Sequence, residues 1–253
     1  IATWSFRDGY EDYVEGPDGG VYEWRELEVN YAIRSSDGGS SWGELQTLST
    51  GTSPRSGIDV ETDGQGTWIV VWSDTDLFMT RSEDDGLSWS EPVVIAVNAA
   101  PRYPSNTEVR HVTDDRWVIV FSSSAFGEDI YGIDEDVFSL RSTDGGVTWG
   151  EPIPVNTDAR EDGATDTSSA LSVDDAGRAI VAWESFRPLG NDGHIDADVF
   201  AAVSTDGGAT WSAPATVNPG ADTDTDYDGA PRLLADERGT WLALWQRRAD
   251  SQR

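Results

Sequence analysis

Four times this chain of 253 residues returns to one pattern: a serine, then aspartate two residues on, glycine four on and tryptophan seven on. The copies read SSDGGSSWG from Ser35, SEDDGLSWS from Ser82, STDGGVTWG from Ser142 and STDGGATWS from Ser204. Their aligned residues are Ser35, Asp37, Gly39 and Trp42; Ser82, Asp84, Gly86 and Trp89; Ser142, Asp144, Gly146 and Trp149; and Ser204, Asp206, Gly208 and Trp211. A motif that recurs at such intervals marks a repeat architecture, in which each unit buries its apolar surface against its neighbours.

Between the copies run short apolar segments that close on an aromatic residue: IATWSF at Trp4, WIVVWSD at Trp72, WVIVFSS at Phe121, AIVAWES at Trp183 and TWLALWQ at Trp245. They are rich in β-branched and aromatic residues and bounded by Gly, Asp and Ser, so they read as strands. Before four of them lies another strand-like segment across a turn, as in ALSVDDAGRAIVAW, where Asp174 to Gly177 supply hairpin chemistry. A third strand leads into each motif (DVFSLRS, DVFAAVS, EVNYAIRS) and a fourth follows it (EPIPVN, APATVN, EPVVIAVN). The unit is four strands long, and no helical period competes.

Spacing separates frame from insert. From each motif Trp to the next closing aromatic the gaps are 30, 32, 34 and 34 residues; from that aromatic to the next motif Ser they are 31, 10, 21 and 21. The near-constant part is the packed scaffold and the elastic part a set of loops on one face. Four-stranded antiparallel units repeated around an axis form a β-propeller, so the expectation is an all-β fold of that kind. Units are expected at about 57–100, 103–157 and 163–218, flanked by partial ones at 1–50 and 228–253, as part of a propeller of about six to eight blades.

Composition excludes several functions. A formal net charge of -30 repels the phosphates of nucleic acid and an anionic membrane surface. No apolar run approaches the ~20 residues needed to cross a bilayer. All 17 basic residues are Arg, which excludes lysine chemistry, and the absence of Cys excludes thiol catalysis and thiolate zinc sites. The opening IATWSF reads as the middle of a strand, in keeping with a segment removed before it, and the expected location is extracellular or on the cell surface.

The pattern Ser-x-Asp-x-Gly-x-x-Trp resembles the Asp-box, or BNR, repeat of the sialidase-like β-propellers, and its copies cover essentially the whole chain. The resemblance implies that each box is a peripheral turn between the third and fourth strands of a blade, away from any catalytic centre. The residues agree with that role: Ser and Asp side chains satisfy backbone N–H groups in a turn, Gly supplies a positive φ and Trp covers it. The second copy carries Asp85 where Gly38, Gly145 and Gly207 stand, which predicts a strained or reshaped turn.

The functional surface is expected on the opposite face, at the inserts RDGYEDYVEGPDGGVYEWRELE, SSAFGEDIYGIDED and ESFRPLGNDGHIDAD. The resemblance implies three Arg for a substrate carboxylate, a Tyr nucleophile paired with Glu, and an Asp acid/base. PRYP, which keeps the Arg and the final Pro at Arg102 and Pro104, is the nearest match to the first Arg motif, Arg55 and Arg160 stand at other blade starts, and Asp129 and Asp134 follow as acid/base candidates. No Tyr and Glu pair is assignable from the text. Two readings therefore stand: a propeller that binds a glycan or protein partner through its acidic loop face without catalysis, and, as the alternative, a sialidase-like exo-glycosidase.

Neither reading requires a cofactor. DTDTDYDG presents Asp224, Asp226 and Asp228 at alternate positions before Gly229, the first half of a calcium loop, so calcium is the one ion the residues suggest. His111 and His194 stand alone, without the spacing of a zinc pair.

Overall fold

A computed structural model describes residues 1–16, 19–51, 56–97, 104–124, 134–159, 163–189, 194–221, 223–236 and 239–249. These residues form strands and turns and no helix. β1 (Ala2–Gly16), β2 (Gly19–Ile33) and β3 (Gln46–Gly51) make the first sheet. Three four-stranded sheets follow: β4 (Ser56–Thr62), β5 (Trp68–Ser73), β6 (Leu77–Ser82) and β7 (Val93–Ala96); β8 (Ser105–Thr113), β9 (Arg116–Ser123), β10 (Asp136–Ser142) and β11 (Ile153–Pro154); β12 (Thr165–Val173), β13 (Ala179–Leu189), β14 (His194–Ser204) and β15 (Ala215–Thr216). β16 (Tyr227–Ala235) and β17 (Trp241–Arg248) form a last hairpin. Every sheet is an antiparallel meander.

The second strand of each sheet explains how the sheets stack. In β9, Trp117, Ile119 and Phe121 join a core with Ile69, Val71, Leu77 and Met79 of the sheet before, while Val118 and Val120 join one with Val181, Trp183 and Ala202 of the sheet after. Successive side chains of a strand point to opposite faces, so one unbroken apolar run feeds two interfaces. β5 does the same, with Ile69 and Val71 on one side and Val70 and Trp72 on the other. The first strands β4, β8, β12 and β16 lie beside one another in succession. Each bulges at an equivalent place, where Gly57, Asn106, Ser168 and Ala230 take positive φ values of 22°, 50°, 53° and 52°.

The insert after Phe6 is paired strand rather than loop: β1 and β2 pair without interruption from Ala2 with Ile33 to Gly16 with Gly19. The insert after Trp183 is likewise a ribbon, paired out to Leu189 with His194. Both arms of the first ribbon are rich in Tyr, Val and Trp, residues that favour pairing over looping. The third insert lies mostly at 125–133, outside the described residues.

The four boxes share one hydrogen-bond pattern. Each Ser hydroxyl accepts the N–H of the Gly four residues on, at 2.9, 2.9, 2.9 and 2.8 Å from Gly39, Gly86, Gly146 and Gly208. The Asp carboxylate accepts both the N–H and the hydroxyl of the residue four beyond it: Ser41, Ser88, Thr148 and Thr210. Asp85 does not reshape its turn; at φ 61° it adopts the left-handed backbone of Gly38, Gly145 and Gly207, a conformation Asp tolerates better than most. In the last three boxes the second Gly is needed for space as well: a Cβ on Gly146, for instance, would overlap Ile69 Cδ1 of the preceding sheet, whereas Gly39 has open space around it.

The last three boxes are also fastened to the sheet before them. Arg34, Arg81 and Arg141, the residues preceding three box serines, send Nε to the backbone carbonyls of Asp85, Gly145 and Gly207 in the next box, at 2.6, 2.7 and 3.0 Å. The box tryptophans lean the opposite way. Trp149 Nε1 donates to Met79 Sδ at 3.1 Å and Trp211 Nε1 to Ser139 Oγ at 2.8 Å, both three residues before the preceding box Ser. The matching position for Trp89 is Ala32, which has no acceptor, and Trp89 Nε1 is buried without a partner. Trp42, in the first box, is 50% exposed.

Two predictions follow from the boxes. Their aspartates are held at about 2, below the ordinary 3.8. The largest cause at Asp37, Asp84 and Asp144 is the hydroxyl of Ser41, Ser88 or Thr148; at Asp206 burial opposes ionisation and the Thr210 bonds outweigh it. A folded value below the unfolded one means that the unfolded chain takes up protons first, so this stability is complete above about pH 4 and is lost down to about pH 2. Thermal melts should hold steady from pH 7 to 5 and fall steeply below about 4, and Asp144→Asn should melt lower at pH 7 with a shallower acid fall; equal slopes would contradict this origin. Second, Ala32→Ser should give Trp89 Nε1 its acceptor and raise the unfolding free energy by about 1 kcal/mol in denaturant titrations, whereas no change or a loss would show that the indole cannot reach it.

Candidate functional site

Repetition supplies the background against which a site stands out. At the face opposite the boxes, a buried Asn bridges two sheets. Asn156 Nδ2 donates to Asp136 of its own sheet at 2.8 Å and to Asp166 of the next at 2.6 Å, while its Oδ1 accepts Val137 N–H. Asn218 repeats the arrangement with Asp198, Asp228 and Val199 at 2.7, 2.9 and 2.9 Å. Carboxylates this deeply buried must be hydrogen-bonded to be tolerated, so these bridges set the spacing of neighbouring sheets.

Beside the second bridge the repeat breaks. The residue after each closing aromatic is Ser73, Ser122, Glu184 and Gln246 in turn, and the residue before the bridging Asp is Thr165 on β12 but Tyr227 on β16. Stacking β16 on β12 and β13 brings these two departures together: the Tyr227 hydroxyl lies against the Glu184 carboxylate. Glu184 is 3% exposed and also accepts Ala230 N–H at 3.2 Å, offered by the bulge. Gly229 leaves the room, since a Cβ there would lie 2.7 Å from Glu184 Oε2 and 2.8 Å from Tyr227 Oη. The phenol ring is flanked by Phe186 at 6.2 Å and by the Arg248 guanidinium at 5.3 Å. Burial first, then the bond to Glu184 and its charge, push the Tyr227 hydroxyl up to about 12, against a smaller downward pull from Arg248.

The residues expected to bind calcium sit next to this pair, arranged around an arginine. Arg247 Nη2 donates to Asp224 at 2.5 Å and Nε to Asp226 at 3.1 Å, and Nε lies 3.9 Å from Asp228. Asp228 does not belong to the loop as the spacing implied: it is fully buried, receives Asn218 and, at 2.8 Å, Trp245 Nε1, and so is the second copy of Asp166. Among the described residues no three His, Cys, Asp or Glu side chains gather as a metal-binding set. His111 Nε2 contacts the Asp114 carbonyl at 2.8 Å and its ring meets Trp117 edge-on, a packing role.

Of the other candidates, Arg55, Arg102, Asp129 and Arg160 lie outside the described residues. Asp134 is half-buried, with Oδ2 buried and lacking a hydrogen-bond partner. Sequence reasoning passed over Glu184 and Tyr227. The signal was present as a break in the repeat, but their meeting depends on sheet stacking.

No protein-family model matches the chain, and no curated protein is significantly similar to it. Solved structures do resemble it. An α-L-arabinanase of Penicillium chrysogenum, complexed with arabinobiose, matches with a TM-score of 0.57 and 16% identity over 96% of this chain and 75% of its own. An α-L-arabinofuranosidase of Fusarium graminearum, with an iminosugar inhibitor, matches at 0.55 and 16% over 96% and 81%. The NanB sialidase of Streptococcus pneumoniae matches at 0.53 and 11% over 98% of this chain, which spans only 40% of that enzyme. At such identities the likeness is one of architecture: the chain is all-β and folded like the β-propeller glycoside hydrolases.

Proposed function

We propose that the chain forms blades of an Asp-box propeller that hydrolyses a terminal glycosidic bond, with Tyr227 and Glu184 at its reactive centre. The observation that carries this reading is the juxtaposition of phenol and carboxylate, placed where the repeat elsewhere has Thr165 and Ser122. The likeness to glycoside hydrolases weighs the same way, and favours catalysis over binding through an acidic face alone. A ring of about six to eight blades accords with the exposure of Leu234, Leu242 and Leu244 at 70, 58 and 59% on the outer face of the last hairpin. The positions matching Leu242 and Leu244 one sheet earlier, Ile180 and Ala182, are half-buried and buried. Such an enzyme would act outside the cell, where terminal sugars are displayed.

A phenol pushed up to about 12 is neutral at pH 7 and a poor nucleophile by itself. Glu184 answers this by accepting the proton as Tyr227 Oη attacks the anomeric carbon, so phenolate and carboxylate are never both charged. An aspartate, Asp129 or Asp134, would protonate the departing oxygen. For an anionic sugar, Arg55, Arg102 and Arg160 would hold the carboxylate through paired N–H donors.

The test offers the whole protein fluorogenic aryl sialosides and aryl α-L-arabinofuranosides. Release from one of them is expected, with Tyr227→Phe and Glu184→Gln each reducing turnover by roughly a hundredfold or more at unchanged circular dichroism. No release from either substrate by the wild-type protein would favour a non-catalytic binding role. We further propose that Arg247 supplies the positive charge that calcium would have brought to Asp224 and Asp226. Melting temperatures in calcium and in chelator should then coincide for the wild type, and calcium should stabilise only Arg247→Gln; a calcium-dependent rise in the wild type would restore the metal.

A further inference from the structure

Three residues change together between the fourth sheet and the last hairpin. Where β16 and β17 have Asp226, Tyr227 and Arg247, the equivalent positions one sheet earlier hold Ala164, Thr165 and Ser185. Among the described residues a guanidinium gripping two carboxylates therefore occurs beside the phenol, whereas its counterpart has the single pair of Arg187 with Asp158, although the buried Asn–Asp bridge underneath is the same in both. This co-occurrence suggests a task connected to Tyr227 rather than to the fold.

The local geometry shows what needs fixing. The ladder between β16 and β17 breaks between Gly229 and Arg232, with Ala230 in the left-handed region, so the pairings of Tyr227 with Arg248 and Asp228 with Arg247 are separated from the regular part of the hairpin. A bulge frees a strand to bend, and a strand end beyond one is held less tightly by its ladder. Asp224 and Asp226 flank that free end, with Asp226 N–H bonded to Asp224 Oδ1 at 3.0 Å and both carboxylates drawn onto one guanidinium. A planar fork gripping two acceptors fixes direction as well as distance, which a single surface ion pair does not.

We propose that Arg247 is a positioning residue: gripping Asp224 and Asp226, it fixes the start of β16 so that Tyr227 stays against Glu184. The proposal rests on the glycosidase reading for its purpose, but its geometry can be tested without turnover. Release of the clamp lets the phenol swing off the carboxylate without disturbing the Asn218 bridge or the sheet core.

The experiment places 3-fluorotyrosine at position 227 of the full chain and follows its fluorine resonance against pH. In the wild type its midpoint should lie well above that of free 3-fluorotyrosine, because burial and Glu184 disfavour the phenolate. In Arg247→Gln the midpoint should drop toward that of free 3-fluorotyrosine as contact with Glu184 is lost. The direction is diagnostic, because removing a nearby positive charge with the contact intact would raise the midpoint instead. Arg247→Lys, which keeps the charge but not the fork, should fall between the two and serves as the test if the Gln variant does not fold. An unchanged or raised midpoint in either variant overturns the proposal. Where the wild type hydrolyses an aryl glycoside, Arg247→Gln should lower kcat about tenfold with little change in KM; a lowered midpoint in a protein without turnover would uphold the clamp and defeat the catalytic reading alone.

Discussion

Every sheet in this molecule has two apolar faces to hide, and no sheet can hide both by itself. β9 shows the constraint most plainly, with Trp117, Ile119 and Phe121 on one side and Val118 and Val120 on the other, all buried. Such a sheet is stable only between two others, so the units must stack in series. The remaining features serve that stacking. The box glycines let a turn settle directly on the preceding sheet, and the arginines before the box serines tie adjacent rims. The Asn156 and Asn218 bridges do the same at the opposite face.

A frame so uniform makes chemistry conspicuous as exception. Glu184 occupies a place that other sheets give to serine or glutamine, and Tyr227 a place held one sheet earlier by threonine. Neither would be unusual on an arbitrary strand. Here each replaces a small or neutral residue at a sheet-to-sheet junction, and the two replacements touch. A repeat protein can build a site in this way without altering its scaffold, since the neighbouring bridge through Asp228 is retained.

The architecture was legible because it is written in local chemistry. Hairpin turns, alternate burial and box geometry each depend on residues within a few positions, and repetition let one copy confirm another. Asp85 illustrates the limit: an apparent defect in the text is absorbed by the tolerance of aspartate for a left-handed backbone. The insert after Phe6 reads as loop because its length varies between units, although its Tyr, Val and Trp residues favour the pairing it adopts. The site was illegible for a different reason. Glu184 and Tyr227 are separated by 43 residues of chain, and only the stacking of β16 on β13 makes them neighbours. Arg247 was equally hidden, because the acidic run from Asp224 reads as a cation loop until the facing strand supplies a cation of its own.

The arginine ties also give the stack a direction. Arg34, Arg81 and Arg141 each reach forward to the following box and none reaches back, and the corresponding place before Ser204 is taken by Val203, which has no donor to offer. Each such bond is lost whichever of its two sheets loosens, so the ties make neighbouring rims yield together, and the run of ties ends at the fourth sheet.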